Sequence, residues 1–184
     1  MWVTQKFPIY KKHLTSKETM KAQMNKETNN MKLSEHFALR EFVVSRTAMV
    51  NNIDNQPSEV EIERLRALCT HVLEPLRRRF GVIRVTSGYR CPELNRRVGG
   101  VSRSQHMRGE AADLHVGSSE TGRKMYAYIV EELDYDQVLF ERSADGRAQW
   151  LHVSYTTTGH NRHSHNADYV AKIARKMPWF CQKK

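Results

Sequence analysis

The stretch His106-Met-Arg-Gly109-Glu-Ala-Ala-Asp113-Leu-His115-Val116 decides how this chain folds. Six residues separate His106 from Asp113. That is too many for one helical turn and enough for a turn, bent at Gly109, that leads into a strand. From Ala112 to Val116 a two-residue period puts Asp113 and His115 on one face and Leu114 and Val116 on the other. Read the same way, Trp150-Leu-His152-Val-Ser154-Tyr155 groups Trp150, His152 and Ser154, with Leu151, Val153 and Tyr155 facing a core. Two strands therefore aim polar side chains at a shared face.

Two histidines and a carboxylate are a donor set with a meaning. A catalytic zinc takes three N or O ligands and keeps one position open, and His106, Asp113 and His152 meet that need. No His-Glu-x-x-His helix occurs, so the site has to be assembled from separated strands and loops. Arg90, after Ser87-Gly88-Tyr89, adds a planar fork able to grip a carboxylate or carbonyl. His13, His36, His71, His160, His163 and His165 are read as ordinary hydrogen-bonded histidines, and His115 as solvent-facing.

Outward from this segment the elements alternate. Ser58 and Glu61 form a capping box after Pro57, and Ile62, Leu65, Leu68, Val72 and Leu76 recur at helical spacing, with a kink expected at Pro75. Val82 to Thr86 reads as a β-branched strand that delivers Arg90 through the turn at Gly88. A helix is expected over Ser119 to Leu133, then strands Tyr135 to Glu141 and Gln149 to Tyr155, joined through a turn at Asp145-Gly146. The fold class is α+β: a small antiparallel sheet carrying the zinc site, flanked by helices.

Composition sets the limits. The chain of 184 residues is 39% hydrophobic, ordinary for one globular domain. Its net charge of +10 suggests nucleic acid, but the charge sits at the ends: residues 1–33 hold seven Lys and two Glu, and 172–184 hold five Lys or Arg and no acid. The body between them has 18 basic and 18 acidic residues, so no specific nucleic-acid binding is expected. The organisation is then a flexible basic extension over 1–32, one domain over 33–171 that carries the zinc site and a basic tail over 172–184. Cys69, Cys91 and Cys181 are odd in number and widely spaced, implying neither a disulfide framework nor a thiolate metal site. No apolar run is long enough to cross a membrane and no secretory signal opens the sequence, so synthesis in the cytoplasm without membrane insertion is expected.

The ordered motifs Val85 to Gly100, Ser104 to Asp113, Asp136-Gln-Val-Leu139 and Trp150 to Ser154 closely resemble the zinc D-alanyl-D-alanine carboxypeptidase-like peptidases. The likeness covers Leu33 to Arg162, is nearest to the phage endolysin branch, and extends to the related zinc fold of the hedgehog signalling domain. It implies one zinc per chain held by His106, Asp113 and His152, with Arg90 orienting substrate and Ser104 contacting it. It also implies a peptidoglycan peptide as substrate, cut near D-alanine by a carboxypeptidase or an endopeptidase. The enzyme is expected to act as a monomer on the cell wall after release. Several relatives place the general base three residues before the last histidine, where this chain has Gln149, which takes no proton at neutral pH. Hedgehog-like members place it earlier, which selects Glu141. Asp136 competes for that role, but 136 and 141 have opposite parity, so a regular strand turns only one of them toward the metal. The alternative to an enzyme is a zinc-stabilised binding module without turnover.

Overall fold

A computed structural model describes residues 30–143 and 145–166. The basic tail over 172–184, Cys181, His13 and all but the last three residues of the 1–32 extension lie outside the described residues.

Two short helices, α1 (Arg40–Val43) and α2 (Arg46–Val50), precede a long helical rod. The rod begins as α3 (Glu59–Leu68), widens to a π-helical turn over Cys69–Leu73 and continues as α4 (Glu74–Phe80). Ser58 and Glu61 cap it reciprocally, as their spacing requires. Pro75 was expected to kink the end. Instead it occupies the first turn of α4, where its missing N–H is not needed, and the wide turn just before it absorbs the misfit. Ile62, Leu65, Leu68, Cys69, Val72, Leu73 and Leu76 form the buried stripe. Glu74, although buried, is saturated: Ser34 Oγ donates to it at 2.6 Å, the His36 backbone N–H at 2.8 Å, and the His36 ring lies at 2.8 Å. The segment from Leu33 to Phe37 is thereby pinned to the rod.

The sheet follows. Its strands are β1 (Val85–Ser87), β2 (Ala111–His115), β3 (Gln137–Arg142), β4 (Gln149–Ser154) and β5 (Ser164–His165), in the order β1-β2-β4-β3-β5. The first four pair antiparallel as expected; β5 adds to the edge in parallel, so the sheet is mixed rather than purely antiparallel. Strand β1 is also shorter and later than Val82 to Thr86, because Val82 is exposed and no strand among the described residues pairs with it. Helices α5 (Pro92–Arg97) and α6 (Ser119–Glu132) complete the set, with a 3-10 turn over Gln105–Arg108 between them. Ser118 caps α6 by accepting from Thr121 N–H at 3.1 Å.

Register fixes the two faces of the sheet. Leu114 pairs with Leu151 and Leu151 with Phe140, while Ala112 pairs with Val153 and Val153 with Val138; all are buried in one cluster with Leu65, Leu68, Met125 and Ile129. Because partners across a ladder share a face, the odd-numbered β2 and β3 residues and the even-numbered β4 residues all point the other way. Tyr155, expected to face inward, is half-buried and stacks on His71 with ring centroids 4.7 Å apart. No helix among the described residues is long and apolar enough to cross a membrane.

Candidate metal centre

The face opposite the core carries Asp113 beside His152 and His152 beside Leu139, with Glu141 opposite Trp150 one step further along. His106 reaches the same place from the 3-10 turn. Gly109, at φ 70°, reverses the chain between His106 and β2, and a Cβ there would lie 2.5 Å from the Glu61 carbonyl oxygen in α3. Close approach also explains Gly88, whose Cβ would stand 2.6 Å from the Phe42 backbone.

His106, Asp113 and His152 each offer one ligand atom, all within 4.8 Å of one another. Asp113 Oδ1 lies 3.3 Å from His106 Nε2 and 3.0 Å from His152 Nδ1. The Gly88 carbonyl sits 2.7 Å from His106 Nδ1 and can only accept, so the ring proton belongs on Nδ1 and Nε2 presents a lone pair. That lone pair faces a carboxylate oxygen with nothing but acceptors between them. The arrangement calls for a cation, and two imidazoles with one carboxylate are the donor set of a zinc site with an open position. Burial pushes the Asp113 carboxyl up, but the His106 and His152 rings, when each carries the proton that a bound cation would replace, outweigh it and hold the group well below the usual carboxylate range. Asp113 is therefore an anion ready to ligate.

Arg90 braces the third donor. Its Nη2 donates to Asp113 Oδ2 at 2.6 Å and its Nε to Ser87 Oγ at 2.8 Å, orienting the carboxylate so that Oδ1 faces the histidines. Such outer contacts set the geometry of a metal ligand as firmly as the ligand's own rotamer. The loop around Arg90 is held by Asn55, a buried residue whose amide donates to the Val43 and Tyr89 carbonyls at 3.0 Å each and accepts from Cys91 N–H at 2.7 Å. Nothing in the sequence around Asn55 marked it, because its partners are all backbone groups. Asn95 and Gly100 shape the loop to His106: Asn95 Nδ2 donates to the Val101 carbonyl at 2.9 Å, and Gly100 packs against the Asn95 side chain. Ser104 is buried on the cleft wall, and its backbone closes the turn with Val101.

The two competing carboxylates differ. Asp136 precedes β3 and is buried under donors: Arg162 N–H at 3.1 Å, Arg162 Nε at 2.9 Å, Arg162 Nη2 at 2.5 Å and Gln105 Nε2 at 2.8 Å. The Arg162 guanidinium, against burial, holds it below its ordinary value. Glu141 instead shares the face with His152, and its Oε2 accepts from Trp150 Nε1 at 2.6 Å. Gln149 turns away and accepts from Ser119 Oγ at 2.8 Å. His115 is exposed. Arg90, Ser104, His106, Asp113, Glu141, Trp150 and His152 all line one open cleft of about 970 Å³.

The sequence profile of the family Peptidase M15 matches residues 35–154, a span that holds all seven of these residues. Among curated proteins nothing matches the chain.

Proposed function

The chain belongs to the M15 peptidase family, a family of zinc-dependent metallopeptidases, and we propose that it hydrolyses peptidoglycan stem or cross-link peptides near D-alanine. The observation that carries this reading is the meeting of His106 Nε2, Asp113 Oδ1 and His152 Nδ1 in one open cleft with Glu141, a carboxylate that has no ion pair among the described residues.

His106, Asp113 and His152 would hold the zinc. Bound there, it would polarise a scissile carbonyl and lower the pKa of a bound water toward neutrality. The work of the chain is then positional. Glu141, fixed through Oε2 by the Trp150 indole, takes the water proton on its other oxygen and returns it to the leaving amine. Arg90 keeps Asp113 aimed inward and presents its remaining N–H groups to the substrate carbonyl, where negative charge develops. Leu139, next to His152 on the same face, gives that side of the cleft an apolar wall. Ser104 lines the wall on the His106 side and is assigned a substrate contact there. The resemblance of Leu33 to Arg162 to phage-type enzymes extends the proposal to a wall-lytic role.

Digestion of purified peptidoglycan, with mass analysis of the products, tests this. Products shortened or separated at a D-alanine bond, and absent after chelation, support a peptidase; released terminal D-alanine means a carboxypeptidase, and resolved cross-links an endopeptidase. Zinc-dependent binding without any cleavage would instead make the chain a zinc-stabilised binding module.

A further inference from the structure

Among the arginines and carboxylates of the cleft six form three pairs, and Glu141 and Arg103 are left over. Arg90 holds Asp113 at 2.6 Å, Arg108 holds Glu110 at 2.8 Å and Arg162 holds Asp136 at 2.5 Å. All three carboxylates are buried, so a guanidinium that left its partner for a substrate would strand a charge away from water. These three arginines are committed. Glu141, the fourth carboxylate of the cleft, is held by the Trp150 indole. Arg103 lines the same cleft, is exposed, and among the described residues meets no carboxylate within ion-pair reach.

Its backbone, by contrast, is well tied. Ser104 N–H donates to the Val101 carbonyl at 3.1 Å to close the turn that carries Arg103, and Asn95 Nδ2 donates to the same carbonyl at 2.9 Å. The Arg103 carbonyl accepts from Arg108 Nη1 at 3.2 Å, and Arg108 is itself clamped by Glu110. An unpaired guanidinium thus hangs from a braced turn, three residues before His106. A planar fork on a rigid mount suits recognition of a planar anion, because little freedom is lost when the contact forms.

We propose that Arg103 is the specificity-determining cation of this cleft and reads a free carboxylate on the peptide substrate. The sequence alone gave the anion-clamping role to Arg90; with Arg90 turned inward onto Asp113 and Ser87, that role moves outward to Arg103, and Arg90 keeps the scissile carbonyl. The inference rests on the peptidase reading for its substrate class. Two carboxylates of a wall peptide have the required chemistry: the terminal carboxylate of D-alanine, and the α-carboxylate that a γ-linked glutamate leaves free.

Two pairs of synthetic stem peptides decide it, one pair differing as acid or amide at the terminus, the other as acid or amide at the γ-glutamyl branch. Each is measured twice: as kcat/KM with the zinc-loaded enzyme, and as affinity by calorimetry for zinc-loaded Glu141→Gln, which needs no turnover. The parent is expected to favour the acid member of one pair by on the order of tenfold. That ratio should fall toward unity in Arg103→Ala and remain partly in Arg103→Lys, with zinc content and Tm matching the parent. The pair that shows the effect identifies the carboxylate. An acid preference that persists undiminished in Arg103→Ala, or equal binding of acid and amide in both pairs, including no binding at all, overturns the proposal. If nothing is cleaved yet calorimetry shows an acid preference that depends on Arg103, the peptidase reading fails and the anion site stands.

Discussion

Replacing Asp136 with Asn and Glu141 with Gln separates a brace from a base. Asp136, 3% exposed, gathers three donors from Arg162 and one from Gln105, while an amide keeps one acceptor oxygen and turns an NH2 toward those donors. Losing one charged hydrogen bond costs about 1.5–3 kcal/mol, and removing one partner of a buried ion pair about 3–5 kcal/mol. The Arg162 side chain is 60% exposed, so water replaces part of what it loses and the smaller range applies. Asp136→Asn is therefore expected to destabilise by about 2–3 kcal/mol, lowering Tm by roughly 4–12 °C for a chain of this size. Glu141→Gln leaves an oxygen to accept from Trp150 and strands no charge, so stability should stay within about 1 kcal/mol while turnover falls at least about a hundredfold. Thermal melts and initial rates on one peptide, with zinc content measured in both variants, give the two numbers. An Asp136→Asn variant as stable as the parent but inactive, beside an active Glu141→Gln, would refute the reasoning and move the base to Asp136.

Three further outcomes follow from the same contacts. Arg90→Lys keeps the charge but cannot hold Ser87 and Asp113 together, so zinc affinity and turnover should each fall roughly tenfold or more, as read by competition with a chelator and by kinetics. Gly109→Ala puts a side chain on a φ of 70° and a Cβ 2.5 Å from the Glu61 carbonyl, at a combined cost of about 2–5 kcal/mol in urea unfolding; an unchanged midpoint would mean that this turn is loose. Burial pushes the Glu74 carboxyl up, but the Ser34 and His36 hydrogen bonds outweigh it and leave it below its ordinary value, and Arg162 holds Asp136 below its own against burial. Both are depressed carboxylates, so their stabilisation is complete above those ordinary values and is lost as pH falls through the folded values. The urea midpoint should then decline below about pH 4.5, and Glu74→Gln should decline less over that interval than the parent.

Two of the three donors were legible in the sequence because they sit on strands, and strands have a period of two. Asp113 and His152 were put on one face by counting, and that face is where the ladder puts them, as partners. The same parity set Glu141 apart from Asp136; in the fold Glu141 shares the sheet face with His152, while Asp136, which precedes β3, reaches the same cleft bound to Arg162. The long helix and α6 were legible from their caps and apolar spacing. What escaped was set by backbone groups and by distance along the chain. The Gly88 carbonyl that orients His106 has no side chain to announce it, and Asn55 bonds only backbone 12, 34 and 36 residues away. The commitment of Arg90 to Asp113 spans 23 residues and depends on how β1 and β2 pair. Strand β5 has only two residues, too few for any period to show.

Metal content tests the central claim most directly. Elemental analysis of the purified chain should find one zinc per chain in the parent and none above background in His106→Ala and His152→Ala, each still folded by circular dichroism. Undiminished zinc in both variants, or a folded parent that takes up no zinc when supplied with it, would contradict the account.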